Sequence, residues 1–196
     1  MKYKTGYTDF FRSIEYAIDV SYPSKDIPVL GMGSGADSGT IAAALHARGK
    51  KFTLCCAEGN ENLDVLYDRI EYLNVPTKII KELTDDEVAT AFDDMKQAGF
   101  TNAEFGKYRP ISHFVLSKHI PNSHLYSGLG TDEFYTNEME RFCRFMYQSH
   151  RAYRHFNIKT IFPLLKNEVF IEYYCLHPNL RKYYKQPFLE YMKSKN

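Results

Sequence analysis

Pro28-Val-Leu-Gly-Met-Gly-Ser-Gly-Ala-Asp-Ser-Gly39 is the stretch that decides the fold. Its first five residues read as a short buried strand, with Pro28 at the first position, where a missing N–H is tolerated. The strand passes through Gly31 into a glycine-rich turn, Gly33 to Gly39, and a small-residue helix then runs from Thr40 to Arg48 and stops at Gly49. A strand–turn–helix of this kind aims backbone N–H groups and the positive end of the helix dipole at one point, which suits a phosphate.

The same alternation continues downstream. Lys51-Phe-Thr-Leu-Cys-Cys-Ala57 reads as a second strand, Leu63, Leu66, Ile70 and Leu73 recur at helical spacing, and Thr77-Lys-Ile-Ile80 reads as a third strand. Thr84 and Glu87 form a capping box, with Leu83 and Val88 at the staple positions and Gly99 as the stop. Pro110 opens a further helix to about His119, and Ser123-His-Leu-Tyr-Ser127 reads as a fourth strand. Upstream, Phe10, Ile14 and Ala17 share one face of a helix over Thr8 to Val20, which Ser21-Tyr-Pro-Ser-Lys-Asp26 breaks. After the fourth strand the chain turns aromatic and helical, punctuated by Pro163, Pro178 and Pro187. The fold expected is α/β: a Rossmann-like parallel sheet with helices on both faces and a helical C-terminal extension, in one domain over residues 1–196.

Composition narrows the function classes. The 196 residues are 44% hydrophobic and 25% charged, which permits a packed core, and the net charge of +1 gives no bulk attraction to nucleic acid or an acidic membrane. No apolar run reaches membrane-spanning length and no signal-peptide stretch opens the chain, so a cytoplasmic location is expected. Cys55, Cys56, Cys143 and Cys175 lack zinc-site spacing and read as buried, reduced thiols.

The first turn is not a Walker A loop, because no Lys follows its glycines. Asp37 is its informative residue. An acid in a phosphate-binding turn is counterproductive unless a divalent cation bridges it to the phosphate; the competing reading is a helix N-terminal acid stabilised by the dipole. Ser127-Gly-Leu-Gly-Thr-Asp-Glu-Phe134 again follows a strand and again sets an acid, Asp132, just beyond two glycines, where the plain alternative is a capped loop. In a parallel sheet ligands collect at the carboxyl ends of strands, so the two bends can share one ligand, with Asp37 and Asp132 flanking a common Mg²⁺.

At these residues the chain resembles asparagine synthetase and its relatives in the N-type ATP-pyrophosphatase class. Gly33-Ser-Gly-Ala-Asp-Ser38 is similar to that family's Ser-Gly-Gly-x-Asp-Ser pyrophosphate loop, and Ser127-Gly-Leu-Gly-Thr-Asp-Glu133 to its Ser-Gly-x-Gly-Ser/Ala-Asp-Glu motif. Ile161-Phe-Pro-Leu-Leu-Lys166 looks like a degraded Arg-x-Pro-Phe-Leu-Asp segment, and Lys185-Gln-Pro-Phe-Leu189 is similar to the lysine that precedes the family's terminal helix. The resemblance runs from about Phe10 to Tyr191.

What it implies is an ATP-dependent carbon–nitrogen ligase. A small carboxylate such as aspartate attacks the α-phosphorus of ATP·Mg²⁺, pyrophosphate leaves, and the acyl-adenylate passes to ammonia or another amine. Gly33 to Ser38, with Ser34, Gly35, Asp37 and Ser38 among them, would cradle the pyrophosphate through backbone donors, and Gly31 would be a further cofactor-binding residue. Asp37 and Asp132 would hold Mg²⁺, and Ser127 and Gly128 would contact the AMP portion. Lys185 would neutralise charge developing on the phosphates; its plain alternative is a solvated surface lysine.

Three departures limit the carry-over. No glutaminase domain with its N-terminal Cys is expected, since residue 2 is Lys and little chain precedes the loop, so free ammonia, another amine or a separate amidotransferase subunit would have to serve; a homodimer is the other assembly expected. Leu129 stands where members place an acid or Tyr that helps deprotonate the amine, so either Glu133, Tyr135 or Glu138 takes that role or the second half-reaction differs. Gly33 replaces the first loop serine. Rival readings are a nucleobase- or tRNA-modifying ATP-pyrophosphatase and a degenerate nucleotide-binding subunit. The former would use a basic row, Arg141, Arg144, Gln148, Arg151 and His155, opposite Phe142, Phe145, Ser149, Ala152 and Phe156; the ordinary reading of that row is a solvated helix face. His113, His119 and His124 lack metal-ligand spacing and stay unassigned.

Overall fold

Short apolar runs separated by amphipathic segments can bury both faces of each strand only by stacking in parallel between helices. In the computed structural model, which describes residues 3–59, 61–81, 83–100 and 109–195, they do so. Strands β1 (Val29–Met32), β2 (Thr53–Ala57), β3 (Thr77–Ile80), β4 (His124–Tyr126) and β5 (Lys159–Ile161) form one all-parallel sheet in the order β3-β2-β1-β4-β5. β1 pairs with β2 on one side, Gly31 opposite Cys55, and with β4 on the other, Leu30 opposite Tyr126. The chain therefore reverses its direction of travel across the sheet between β1 and β4. That switch point opens a crevice at the strands' carboxyl ends.

Alternate strand residues feed two separate cores. Leu30, Met32, Leu54, Cys56 and Tyr126 pack with α1 (Thr8–Ser21), α2 (Ala36–Ala47) and α3 (Leu63–Leu73), and with α8 (Asn167–Cys175) and α9 (Gln186–Lys193) of the C-terminal part. Cys55, Ile80 and Leu125 face the other way, onto α4 (Asp85–Gln97), α5 (Arg109–His119) and α7 (Met139–His155). The predicted stripe Phe10, Ile14 and Ala17 is fully buried, and the Thr84–Glu87 capping box forms. Lys4 bridges to Leu176 and ties the chain start to the end of α8.

Several expectations need correction. The glycine turn is shorter than the sequence suggests, because α2 begins at Ala36 and not Thr40, with Gly35 as its extended N-cap. Gly39 is thus helical. A Cβ there would lie 2.6 Å from Met192 Sδ and 2.9 Å from the Arg69 guanidinium carbon, so glycine allows α3 and α9 to close on α2. β5 was not anticipated: Lys-Thr-Ile is too short to display a period of two. Cys55 and Cys56 are buried, but Cys143 is exposed and Cys175 half-buried. Burial pushes the Cys55 thiol up to about 11 and that of Cys56 up to about 12, so neither supplies a thiolate near neutral pH. Among the described residues no helix is long and apolar enough to cross a membrane.

Candidate functional site

The two glycine bends meet at the switch point. β1 delivers Gly33–Gly35 and the first turn of α2, while β4 delivers Ser127–Gly130 and the short helix α6 (Thr131–Tyr135). Contact between them is at backbone level: a Cβ on Gly128 would lie 2.8 Å from Asp37 Cβ and 3.1 Å from Ser38 N. Gly130 turns the chain at a φ of +82°, where a Cβ would strike Phe142. Gly128→Ala is expected to destabilise the protein by about 1–3 kcal/mol, because backbone and not a flexible tip must move. Gly35→Ala is the control, since a Cβ there has nothing within 4 Å, and it should be close to neutral. Urea unfolding of both variants checks the pair.

This approach brings Asp37, Asp132 and Lys185 into one cluster. Lys185 Nζ lies 3.0 Å from Asp132 Oδ1, 3.1 Å from Asp132 Oδ2 and 3.7 Å from Asp37 Oδ2. The Asp37 side chain is 15% exposed and that of Lys185 is 19% exposed, so the surface-lysine alternative is excluded by burial. Lys185 is also the N-cap residue of α9, the end of a helix that repels a cation. Only its anionic partners make that placement tolerable.

Electrostatics divides the acids. Burial, then the neighbouring charge of Asp132, pushes Asp37 up to about 7 against the pull of Lys185. Burial also works on Asp132, but hydrogen bonding with Asp37, Tyr184 and Lys185 outweighs it and holds that carboxyl below its ordinary value. For Lys185 burial lowers the pKa, and Asp37, Tyr184 and Asp132 together raise it above the usual lysine range. A proton shared by the pair therefore resides on Asp37, the more buried acid.

Asp37 Oδ1 and Asp132 Oδ1 are buried and have no hydrogen-bond donor; the Lys185 contact to Asp132 Oδ1 is an ion pair without hydrogen-bond geometry. Two such oxygens in one lysine-centred cluster fit a shared proton or a cation. Among the described residues no group of three or more His, Cys, Asp or Glu side chains converges. The donor set is thus too small to cage a metal alone. It fits Mg²⁺, which commonly takes one or two carboxylates and completes its shell with water and phosphate oxygens.

The loop itself is braced from behind. Arg69 Nη1 donates to Gly33 O and Gly35 O, each at 2.8 Å, turning those carbonyls away from the turn. Gly33 N donates to Ser38 Oγ at 3.2 Å, and Ser34 N donates to Glu61 Oε2 at 2.5 Å. Two of the expected backbone donors are therefore engaged within the protein. Ser127 is buried, receives the Leu129 N–H at 3.1 Å and is hydrogen-bonded with the fully buried Tyr153, whose hydroxyl meets His113 Nδ1 at 2.8 Å. Gly31, Gly33, Glu61, His113, Ser127 and Tyr153 are among the walls of a cavity of about 180 Å³ at the carboxyl ends of the strands. A larger surface groove of about 390 Å³ lies among α2, α3 and α9 and is lined in part by Arg69; Asp37, Asp132 and Lys185 line neither cavity. The smaller cavity is the candidate because Gly33 of the first bend and Ser127 of the second both line it.

Sequence patterning does not single out Glu61, Arg69, Tyr153 or His113 as site residues. Arg69 carried a faint signal, sitting one turn from Leu66 and beside Ile70 on an apolar stripe; Glu61 in its loop carried none. The substitutes considered for Leu129 fare poorly. The Tyr135 hydroxyl donates to Leu164 O at 2.8 Å, and burial raises its pKa far above that of a base active near neutrality. Glu133 is buried against Arg141 Nε at 3.3 Å, and Glu138 is held by Arg141 Nη1 at 3.0 Å. Two of the five residues of the basic row are engaged likewise: Arg141 pairs with Glu133 and Glu138, and Arg151 donates to Gly99 O and covers the Phe100 ring at 4.4 Å. Opposite it, Phe145, Ser149 and Ala152 are buried, while Phe142 and Phe156 are half-buried.

Fold and site together define a five-stranded parallel α/β domain with an acid–acid–lysine cluster at its switch point. No protein-family model matches the chain, and no curated protein matches it at a significant level.

Proposed function

We propose that the protein is an ATP-dependent, AMP- and pyrophosphate-forming amide synthetase, similar to the synthetase half of asparagine synthetase, that adenylates a small carboxylate. The observation that carries this reading is the convergence of Asp37, Asp132 and Lys185 beside a glycine turn at the carboxyl end of β1. Asp37 and Asp132 would hold Mg²⁺, which supplies charge neutralisation between the phosphates. Ser34, Gly35 and Ser38 line the turn that would face pyrophosphate, and Ser127 and Gly128 the bend that would face AMP. Lys185 adds a fixed positive charge that need not reorganise as the α-phosphorus is attacked. Aspartate is the carboxylate of first choice, and ammonia or another amine the acceptor.

Pyrophosphate release from Mg·ATP, measured against a panel of carboxylates and amines, tests the proposal. Turnover that requires one carboxylate and one amine is expected. ATP binding with no release across the panel would favour a nucleotide-binding subunit without activity, a reading helped by Leu129 and by the engagement of Glu133, Tyr135 and Glu138 elsewhere. The nucleic-acid reading loses support from the internal pairing of Arg141 and Arg151.

A further inference from the structure

The Gly33–Gly35 turn already holds an anion, and it belongs to the protein. Both the N–H and the Oγ of Ser34 donate to one carboxylate oxygen, Glu61 Oε2, each at 2.5 Å. The same carboxylate fills the space over Gly33, where a Cβ would lie 2.6 Å from Glu61 Oε1. Asn62 N donates back to Ser34 Oγ at 3.0 Å, so the β2–α3 connection is tied to the turn at two consecutive residues. This connection is short and sharply bent: Gly59 has a φ of +36°, and Glu61 N closes onto Glu58 O at 2.9 Å.

A carboxylate that takes a loop N–H and a hydroxyl is making the contacts that a phosphate oxygen makes in such a turn. The two cannot share the seat, since like charges at that distance repel strongly in a partly buried site. Glu61 also forms part of the wall of the 180 Å³ cavity, which is below the usual 300–1,000 Å³ of small-molecule sites. Withdrawing it both frees the donors and enlarges the space.

We infer that Glu61 is a built-in stand-in for phosphate: it closes the turn in the free protein, and a ligand carrying several phosphate charges must displace it. This deepens the reading of the turn as a pyrophosphate seat and rests on it. A consequence is selectivity by charge. Orthophosphate brings too little to eject a carboxylate held by two charge-assisted hydrogen bonds, whereas magnesium pyrophosphate brings enough.

Calorimetric titration of inorganic pyrophosphate with magnesium chloride into the wild-type protein and into Glu61→Gln provides the test. Glu61→Gln is expected to bind pyrophosphate roughly ten- to thirty-fold more tightly, because the competing charge is gone while the side-chain shape is kept. Binding by wild type with an affinity for Glu61→Gln within two-fold, or weaker, overturns the stand-in and leaves the seat intact. If both proteins melt cooperatively and neither binds pyrophosphate, the seat itself is wrong and the stand-in falls with it. Should Glu61→Gln fail to fold, amide hydrogen exchange on the wild type decides the matter. Pyrophosphate should slow exchange at Ser34 while speeding it at Asn62, whose N–H loses Ser34 Oγ as the connection lifts; slower exchange at both sites overturns the inference.

Discussion

Lys185→Met is expected to lower kcat for pyrophosphate release from Mg·ATP roughly 10³-fold, with KM moving only a few-fold. Methionine keeps the length and apolar stem of lysine and removes its charge, so packing around Tyr184 and Phe188 should survive. A cation stationed at the N-terminal end of α9 is unfavourable in a helix on its own, and this one is held by Asp132 at 3.0 Å and Asp37 at 3.7 Å. On the proposed reaction such a charge would face the leaving pyrophosphate, and a kinetic effect would separate a catalytic lysine from a structural counter-ion. Steady-state kinetics on the variant decides between them: a fall in kcat below ten-fold would reduce Lys185 to scaffolding.

Asp37→Asn should produce two effects of opposite sign. On the proposed function, affinity for Mg·ATP is expected to fall roughly 10²-fold or more, since one of the two carboxylates that would hold the cation is gone. Stability of the ligand-free protein should rise at pH 8. Burial and then Asp132 push Asp37 up from 3.8 to about 7, so the folded state favours its protonated form. The stabilisation linked to that proton is fully present below pH 3.8 and is lost as pH climbs through about 7. Asparagine is neutral at every pH and escapes the loss, on the order of 1–3 kcal/mol after sharing with Lys185 and Asp132. Thermal melts at pH 5 and pH 8 should show the wild type losing several degrees more than the variant between the two. Equal losses would mean Asp37 is ionised throughout.

Local physics explains which parts of this molecule could be read from its residues. The strand–turn–helix at Pro28–Arg48 and the capping box at Thr84 announce themselves, because turn chemistry and helix capping act over a few residues. Asp37 and Asp132 were legible as a pair for a similar reason: each follows a strand and two glycines, and parallel topology carries both to the same edge. β5 was not legible, since three residues cannot declare a period. The start of α2 was misplaced because Gly39 looks like turn chemistry, and only the approach of Met192 and Arg69 reveals its steric purpose. Glu61 and Arg69 act on the turn across 27 and 36 residues. No pattern along the chain encodes such a contact.

Lys185 reaches Asp132 across 53 residues, and α9 is fastened to α2 by Phe188 and by Thr40 Oγ1 donating to Phe188 O across 148. The cation of the cluster thus emerges from the ribosome 53 residues after the second acid. Until Lys185 docks, the two carboxylates have no lysine counter-charge, and the cluster is incomplete.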